Sequence, residues 1–211
     1  MKPILFKTEM VRAILSGQKT VTRRVIKGAN PEWPFVDLDD DMSITAIDRH
    51  GEEYPKDVPG LWATFASDGY PEYPAFKAPY QAGDILYVRE SWAPWSKTEG
   101  VMPRIHYKAD DEELKGVKWK PSIHMPKKAA RIFLKVTDVK VERLGEMTRD
   151  DYLREGIQKN PSAIEDYRRF RDIWNSTVRK GDEKLYGEKA NPWVWVIKFE
   201  RCEKIEETAD G

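Results

Sequence analysis

Apolar residues recur along this chain with two different periods, and the changes between them mark its parts. Pro3, Ile4, Leu5 and Phe6 read as a short strand. Met10, Val11, Ile14 and Leu15 then fall on one helical face, with Thr8 placed to cap the start and Gly17 to stop the end. A strand over residues 20–26 follows. From residue 28 to 79 the periodicity gives way to prolines, aromatics and the acidic run Asp37, Asp39, Asp40 and Asp41. Trp33, Phe35, Trp62, Phe65, Tyr70, Tyr73 and Phe76 can bury considerable area, so this segment reads as an insertion packed on the core, with a hairpin at His50 and Gly51.

Alternation returns at residues 83–90, and a short strand is expected over 104–108. In the long strand that begins at Arg131 the apolar phase runs through Ile132, Leu134 and Val136 and then shifts to Val139 and Val141, which predicts a bend or bulge near Asp138. Thr148 and Asp151 form a capping-box pair opening a short helix that Gly156 ends. A second helix starts after Ser162 with Tyr167, Phe170, Trp174 and Val178 as its core stripe. The last strand places Trp193, Trp195, Ile197 and Phe199 on one side and Val194, Val196 and Lys198 on the other. Several strands with a few helices between them predict an α+β protein on a curved sheet or small barrel.

Charge and composition narrow the possible functions. The chain of 211 residues fits a single domain with a large insertion, and its 36 basic and 36 acidic side chains cancel, so any nucleic-acid contact is local. The lone cysteine, Cys202, rules out an internal disulfide and a cysteine-cluster zinc site, and no apolar stretch approaches the roughly 18 residues of a membrane span. A cytoplasmic protein is expected. Asp37, Asp39, Asp41 and Asp48 match a calcium-loop register, but Met42 stands where the turn needs glycine. The histidines lack metal-ligand spacing, and neither a P-loop nor a nucleophile elbow occurs. No metal and no cofactor is expected.

The helix stop at Gly17 delivers Lys19, Thr22, Arg23 and Arg24 to a helix–strand junction, where side chains can converge on a cleft. This pattern resembles the signature of the ASCH domain, a β-barrel family related to the PUA RNA-binding domains. Residues 80–92, with Gly83, Asp84, Arg89, Glu90 and Trp92, look like that family's second barrel strand. Residues 119–126, with Trp119, Lys120 and His124, look like a segment of its longer members, often carried by phages and prophages. Residues 153–157 and 191–196 extend the likeness. The resemblance implies a small PUA-like barrel with a few helices, the segment 28–79 being inserted into it.

Small bacterial members of that family hydrolyse acetylcytidine with a lysine, a threonine and a glutamate. Carried over, these roles fall on Lys19, Thr22 and Glu155. Such chemistry requires a lysine whose pKa drops from about 10.4 towards roughly 7 to 8, and Arg23 or Arg24 can supply the neighbouring charge that lowers it. Thr22 would orient water or bind the oxyanion, and Glu155 would carry the proton. A lysine at a cleft adds little to packing, so Lys19→Ala is expected to leave the melting temperature nearly unchanged. The same residues also read as ordinary solvated charges.

A second reading is a non-catalytic module that binds RNA or another nucleic acid. Residues 115–135 hold Lys115, Lys118, Lys120, Lys127, Lys128, Arg131 and Lys135 without an acidic residue, and Trp119 can stack on a base. The candidate binding residues are therefore Arg23, Arg24, Arg89, Glu90, Trp92, Trp119, Lys120, His124, Lys127 and Lys128, the expected partners being a nucleoside or RNA.

Overall fold

The computed structural model describes residues 1–40, 46–47, 59–66, 73–94, 105–110 and 117–204. The hairpin expected at His50 and Gly51, two aspartates of the calcium register (Asp41 and Asp48), Tyr70, Arg104 and Lys115 lie outside these residues. The chain runs β1 (Lys2–Leu5), α1 (Thr8–Leu15), β2 (Val21–Val25), β3 (Phe35–Asp39), β4 (Ala46–Ile47), β5 (Trp62–Phe65) and β6 (Tyr73–Lys77). It continues through β7 (Ile85–Arg89), β8 (Trp92–Ala93), β9 (His106–Tyr107), β10 (Phe133–Arg143), α2 (Arg149–Arg154), α3 (Ala163–Asn175), α4 (Glu183–Tyr186) and β11 (Trp193–Cys202). The result is an α+β fold with mixed sheets and few helices.

The central sheet has the order β1-β7-β10-β11-β2, with β1 parallel to β7 and the other pairs antiparallel. Its register shifts between Val136 and Asp138. That irregularity keeps Leu134 and Val136, and after it Val139 and Val141, against one core, as the phase change in the sequence demanded. Strand β11 separates two cores. Trp195, Ile197 and Phe199 join Ile4, Val11, Ile14, Leu86 and Leu134 on one face, while Val194 and Val196 meet Phe170 and Trp174 of α3 on the other.

Among the described residues strands β3, β5, β6 and β4 form a separate sheet with no ladder to the central one. Its Ala63, Phe65 and Phe76 nevertheless belong to the first core. Aromatic packing makes the join: Phe65 stacks edge-on against Phe35 and Phe76, and its ring centroid lies 5.4 Å from that of Trp193.

The expected barrel does not close. Among the described residues β1 and β2 are the two edges of the central sheet, and no backbone ladder joins them. The outward carbonyls of β2 are taken by side chains instead: Lys19 Nζ donates to the Val21 carbonyl at 2.8 Å, and Arg24 Nη1 to the Arg23 carbonyl at 3.0 Å. Arg24 also reaches across the seam, its Nη2 donating to the Leu5 carbonyl of β1 at 3.2 Å. Cationic side chains thus blunt an edge that would otherwise pair with another strand, and the same side chains line a cavity.

Candidate active site

Two glycines in the left-handed region set the geometry. Gly17 (φ +77°) ends α1, and Gly156 (φ +97°) ends α2. At the second stop Gly156 N donates to the Leu153 carbonyl and Ile157 N to the Tyr152 carbonyl, the paired bonds of a Schellman turn. A Cβ on Gly156 would lie 2.8 Å from Ala13 Cβ and 3.3 Å from Lys19 Cβ. Only glycine lets the end of α2 approach the α1–β2 junction this closely, and Glu155 is thereby laid against Lys19.

The Lys19 side chain is buried. Its ammonium donates to Glu155 Oε2 at 2.6 Å, the Glu155 carbonyl at 2.7 Å and the Val21 carbonyl at 2.8 Å. Burial pushes the Lys19 pKa below its ordinary value; Glu155 opposes the shift, while Arg24 and Arg23 add to it. Phe6 supplies an aromatic face to two of these cations, with Lys19 Nζ 5.5 Å and the Arg24 guanidinium 5.4 Å from its ring centre.

Arg23 and Arg24 alternate to opposite sides of β2 and have different partners. Arg23 is ringed by carboxylates: Glu142 at 3.1 Å, Asp151 at 3.2 Å and Glu155 at 3.4 Å. Burial works against its charge, but these three acids outweigh it and hold the guanidinium above its ordinary pKa. Its buried Nε has no acceptor among the described residues. Among the described residues Arg24 bonds only neutral oxygens, and its Nη1 donates to Thr22 Oγ1 at 2.7 Å. With a lone pair held by Arg24, the Thr22 hydroxyl keeps its own proton to give.

A cavity of about 980 Å³ is lined by Lys19, Thr22, Arg23, Arg24 and Glu155. Phe6 just before α1 and Met10 in it, Phe76 and Tyr80 from and after β6, and Ile173 and Trp174 of α3 also contribute to its walls. This volume sits at the top of the range of about 300–1,000 Å³ usual for small-molecule sites.

The predicted site residues therefore divide into two groups. Lys19 and Glu155 touch, Thr22 lies on the same cavity wall with its hydroxyl bonded by Arg24, and Arg23 ties Glu155 to Asp151. The candidates Arg89, Glu90, Trp92, Trp119, Lys120, His124, Lys127 and Lys128 do not line the cavity. Glu90 is a buried structural acid: Arg131 grips it through Nε at 3.0 Å and Nη2 at 3.2 Å, and Asp110 and the Tyr107 ring hold Arg131 in turn. Burial raises the Glu90 pKa, with Arg131 opposing the shift. The Arg89 guanidinium donates to the Ile123 carbonyl, and Trp92 is buried beneath Lys120, whose Nζ lies 5.5 Å from its ring. Trp119 is half-buried, Lys127 lies in the 3₁₀ turn Lys127–Ala129, and Lys128 and His124 are exposed on 3₁₀ turns.

Three contributors had weaker signals in the sequence. Glu142 shares a face of β10 with Lys140, a plain alternation. Asp151 is a capping residue that serves twice, bonding Thr148 as well as Arg23. Phe6 looked like one more apolar residue of the first strand.

No protein-family model matches this chain, and no curated protein matches it as a relative. Among solved structures, the crystal structure of a DUF984-family protein from Enterococcus faecalis V583 is similar over the whole of this chain and 87% of its own, at 9% identity and a TM-score of 0.43. At that distance it assigns neither a family nor an activity. Among the described residues no cluster of three or more His, Cys, Asp or Glu is placed to hold a metal ion, and no helix is long and apolar enough to cross a membrane.

Proposed function

We propose that the chain is an ASCH-type hydrolase that cleaves the amide of an acylated nucleoside or modified base in this cavity. On this reading the open five-stranded sheet is a PUA-like barrel parted at the β1–β2 seam, where the substrate enters. The observation that carries it is the buried Lys19–Glu155 contact of 2.6 Å on the wall of a large cavity.

One proton moving from Lys19 to Glu155 Oε2 leaves a neutral amine, which burial favours. The amine takes a proton from water as the hydroxide adds to the acyl carbon. Thr22 Oγ1–H faces the oxyanion. Glu155 then gives its proton to the departing nitrogen, and the products are the amine and a carboxylic acid, with the ion pair restored.

The competing reading, a non-catalytic binding module, rests on the same ammonium: all three of its protons have acceptors, so the charged form is well held. Lys19→Arg separates the two, because arginine keeps the charge but gives up no proton near neutral pH. Loss of about 10²–10⁴-fold in turnover with folding intact by circular dichroism is expected, and a similar loss for Glu155→Gln. Full activity of Lys19→Arg would remove lysine as the base.

A further inference from the structure

We propose that Arg24 is the seat for an anionic group of the ligand, and that a nucleotide carrying a phosphate is preferred to the uncharged nucleoside. The nucleoside half of this statement rests on the hydrolase reading above; the anion seat rests on the geometry of Arg24 alone.

Charges within the neighbouring cluster cancel. Lys19, Arg23 and Lys140 are matched by Glu155, Glu142 and Asp151 through direct contacts. Arg24 stands outside this balance. Its hydrogen bonds run to Thr22 Oγ1, the Arg23 carbonyl and the Leu5 carbonyl, all neutral, and among the described residues no carboxylate pairs with it. Those three bonds occupy both Nη1 protons and one on Nη2. Among the described residues Nε–H and the second Nη2–H have no protein acceptor, although the side chain is half-buried in a cavity wall. A guanidinium fixed by neutral oxygens with two N–H groups to spare matches the bidentate pattern by which arginine takes up a phosphate or carboxylate.

The surrounding wall favours the same sign. Lys7, Lys27 and Lys77 also line the cavity, and Glu155, the sole carboxylate among its described lining residues, is already held by Lys19 and Arg23. Lys7 bonds the Ser176 hydroxyl, and Lys77 the Pro59 carbonyl, again neutral acceptors. Burial pulls the Arg24 pKa below its ordinary value and outweighs the opposing charges of Glu155 and Tyr80, neither of which bonds it directly. The apolar walls from Phe76, Ile173 and Trp174 leave room for a base beside the phosphate.

The test is calorimetric titration of the wild-type protein with cytidine, cytidine 5′-monophosphate, inorganic phosphate and a short single-stranded oligoribonucleotide. The monophosphate is expected to bind about ten- to a hundredfold more tightly than cytidine at low salt, with the gap narrowing as salt rises and phosphate competing. Arg24→Gln should bring the ratio close to one, and Arg24→Lys should keep part of it. A ratio near one in the wild type overturns the proposal whether or not the variants fold. An oligoribonucleotide that binds while the mononucleotide does not overturns the assignment to a mononucleotide. Hydrolysis of acetylcytidine with no phosphate preference sinks this inference and leaves the hydrolase reading standing; a phosphate preference without hydrolysis does the reverse.

Discussion

Lys19→Met isolates the charge of the buried lysine, since methionine keeps most of the aliphatic stem and removes the ammonium. A lysine at an open cleft would be dispensable for stability, but Lys19 is 3% exposed and saturated with acceptors, and this reverses the expectation drawn from sequence. Its loss leaves the Glu155 carboxylate buried, with Arg23 Nη1 at 3.4 Å as its one ion-pair partner among the described residues. It also strips the Val21 and Glu155 carbonyls of a donor. Breaking a buried ion pair from one side costs about 3–5 kcal/mol. The remaining Arg23 contact argues for the lower end, about 3 kcal/mol. For a chain of this size that corresponds to a fall in Tm of about 6–12 °C. Thermal and urea unfolding followed by circular dichroism read it directly, and the double variant Lys19→Met/Glu155→Gln should lose less than the two single losses added, by about 1–3 kcal/mol. The pH dependence has a fixed sign. The folded-state pKa of Lys19 is depressed, so between that pKa and the unfolded value of 10.5 the unfolded chain binds more protons, and the lysine's contribution to stability rises with pH across this window. Lys19→Met should lack that rise. A variant as stable as the wild type would refute the claim that a desolvated ion pair joins α1, β2 and α2.

Other perturbations probe the frame around the pair. Gly156→Ala forces a side chain into positive φ and within 2.8 Å of Ala13 Cβ, so a loss of about 1–3 kcal/mol is expected, together with reduced turnover from a displaced Glu155; unchanged urea unfolding would refute it. Burial pushes Asp151 up, but its bonds to Thr148 and the charge of Arg23 outweigh this and hold its pKa below 3.8, so its contribution is present above 3.8 and is lost as pH falls through the folded value. Asp151→Asn should flatten that acid limb of the stability curve, and an unaltered limb would count against the pairing. Exchanging Lys120 and Lys128 for glutamate should leave hydrolysis of a small acylated nucleoside unchanged, because neither lines the cavity; a loss of activity in the folded variant would place the substrate across the basic segment.

Strong local signals carried much of the fold. The helix over Thr8–Leu15, the bulge before Asp138 and the two-faced strand β11 follow from periodicity, because each has apolar positions that a single register must bury. Thr8 does not cap α1, whose N-cap is Lys7, and Ser162 makes no capping bond through its side chain, since the propensity of a residue for a cap says nothing of the rotamer it adopts. Lys19 and Glu155 were legible as a pair through the family resemblance, and their contact depends on two glycine stops 139 positions apart in the chain, Gly17 and Gly156. What sequence could not show was which arginine is neutralised. Arg23 and Arg24 are adjacent, yet strand alternation sends one to three carboxylates and the other to neutral oxygens. Nor could it show that Glu90 and Trp92 are buried away from the cavity, since strand spacing leaves open which long-range partners, here Arg131 and Lys120, a residue meets.

The most direct measurement of the central claim is a time course of acetylcytidine incubated with the wild-type protein, its products separated by chromatography. The account predicts cytidine and acetate released in equal amounts, at a rate that Glu155→Gln abolishes. Acetylcytidine and other acylated nucleosides recovered intact from folded protein would contradict it and leave the cavity as a binding site without chemistry.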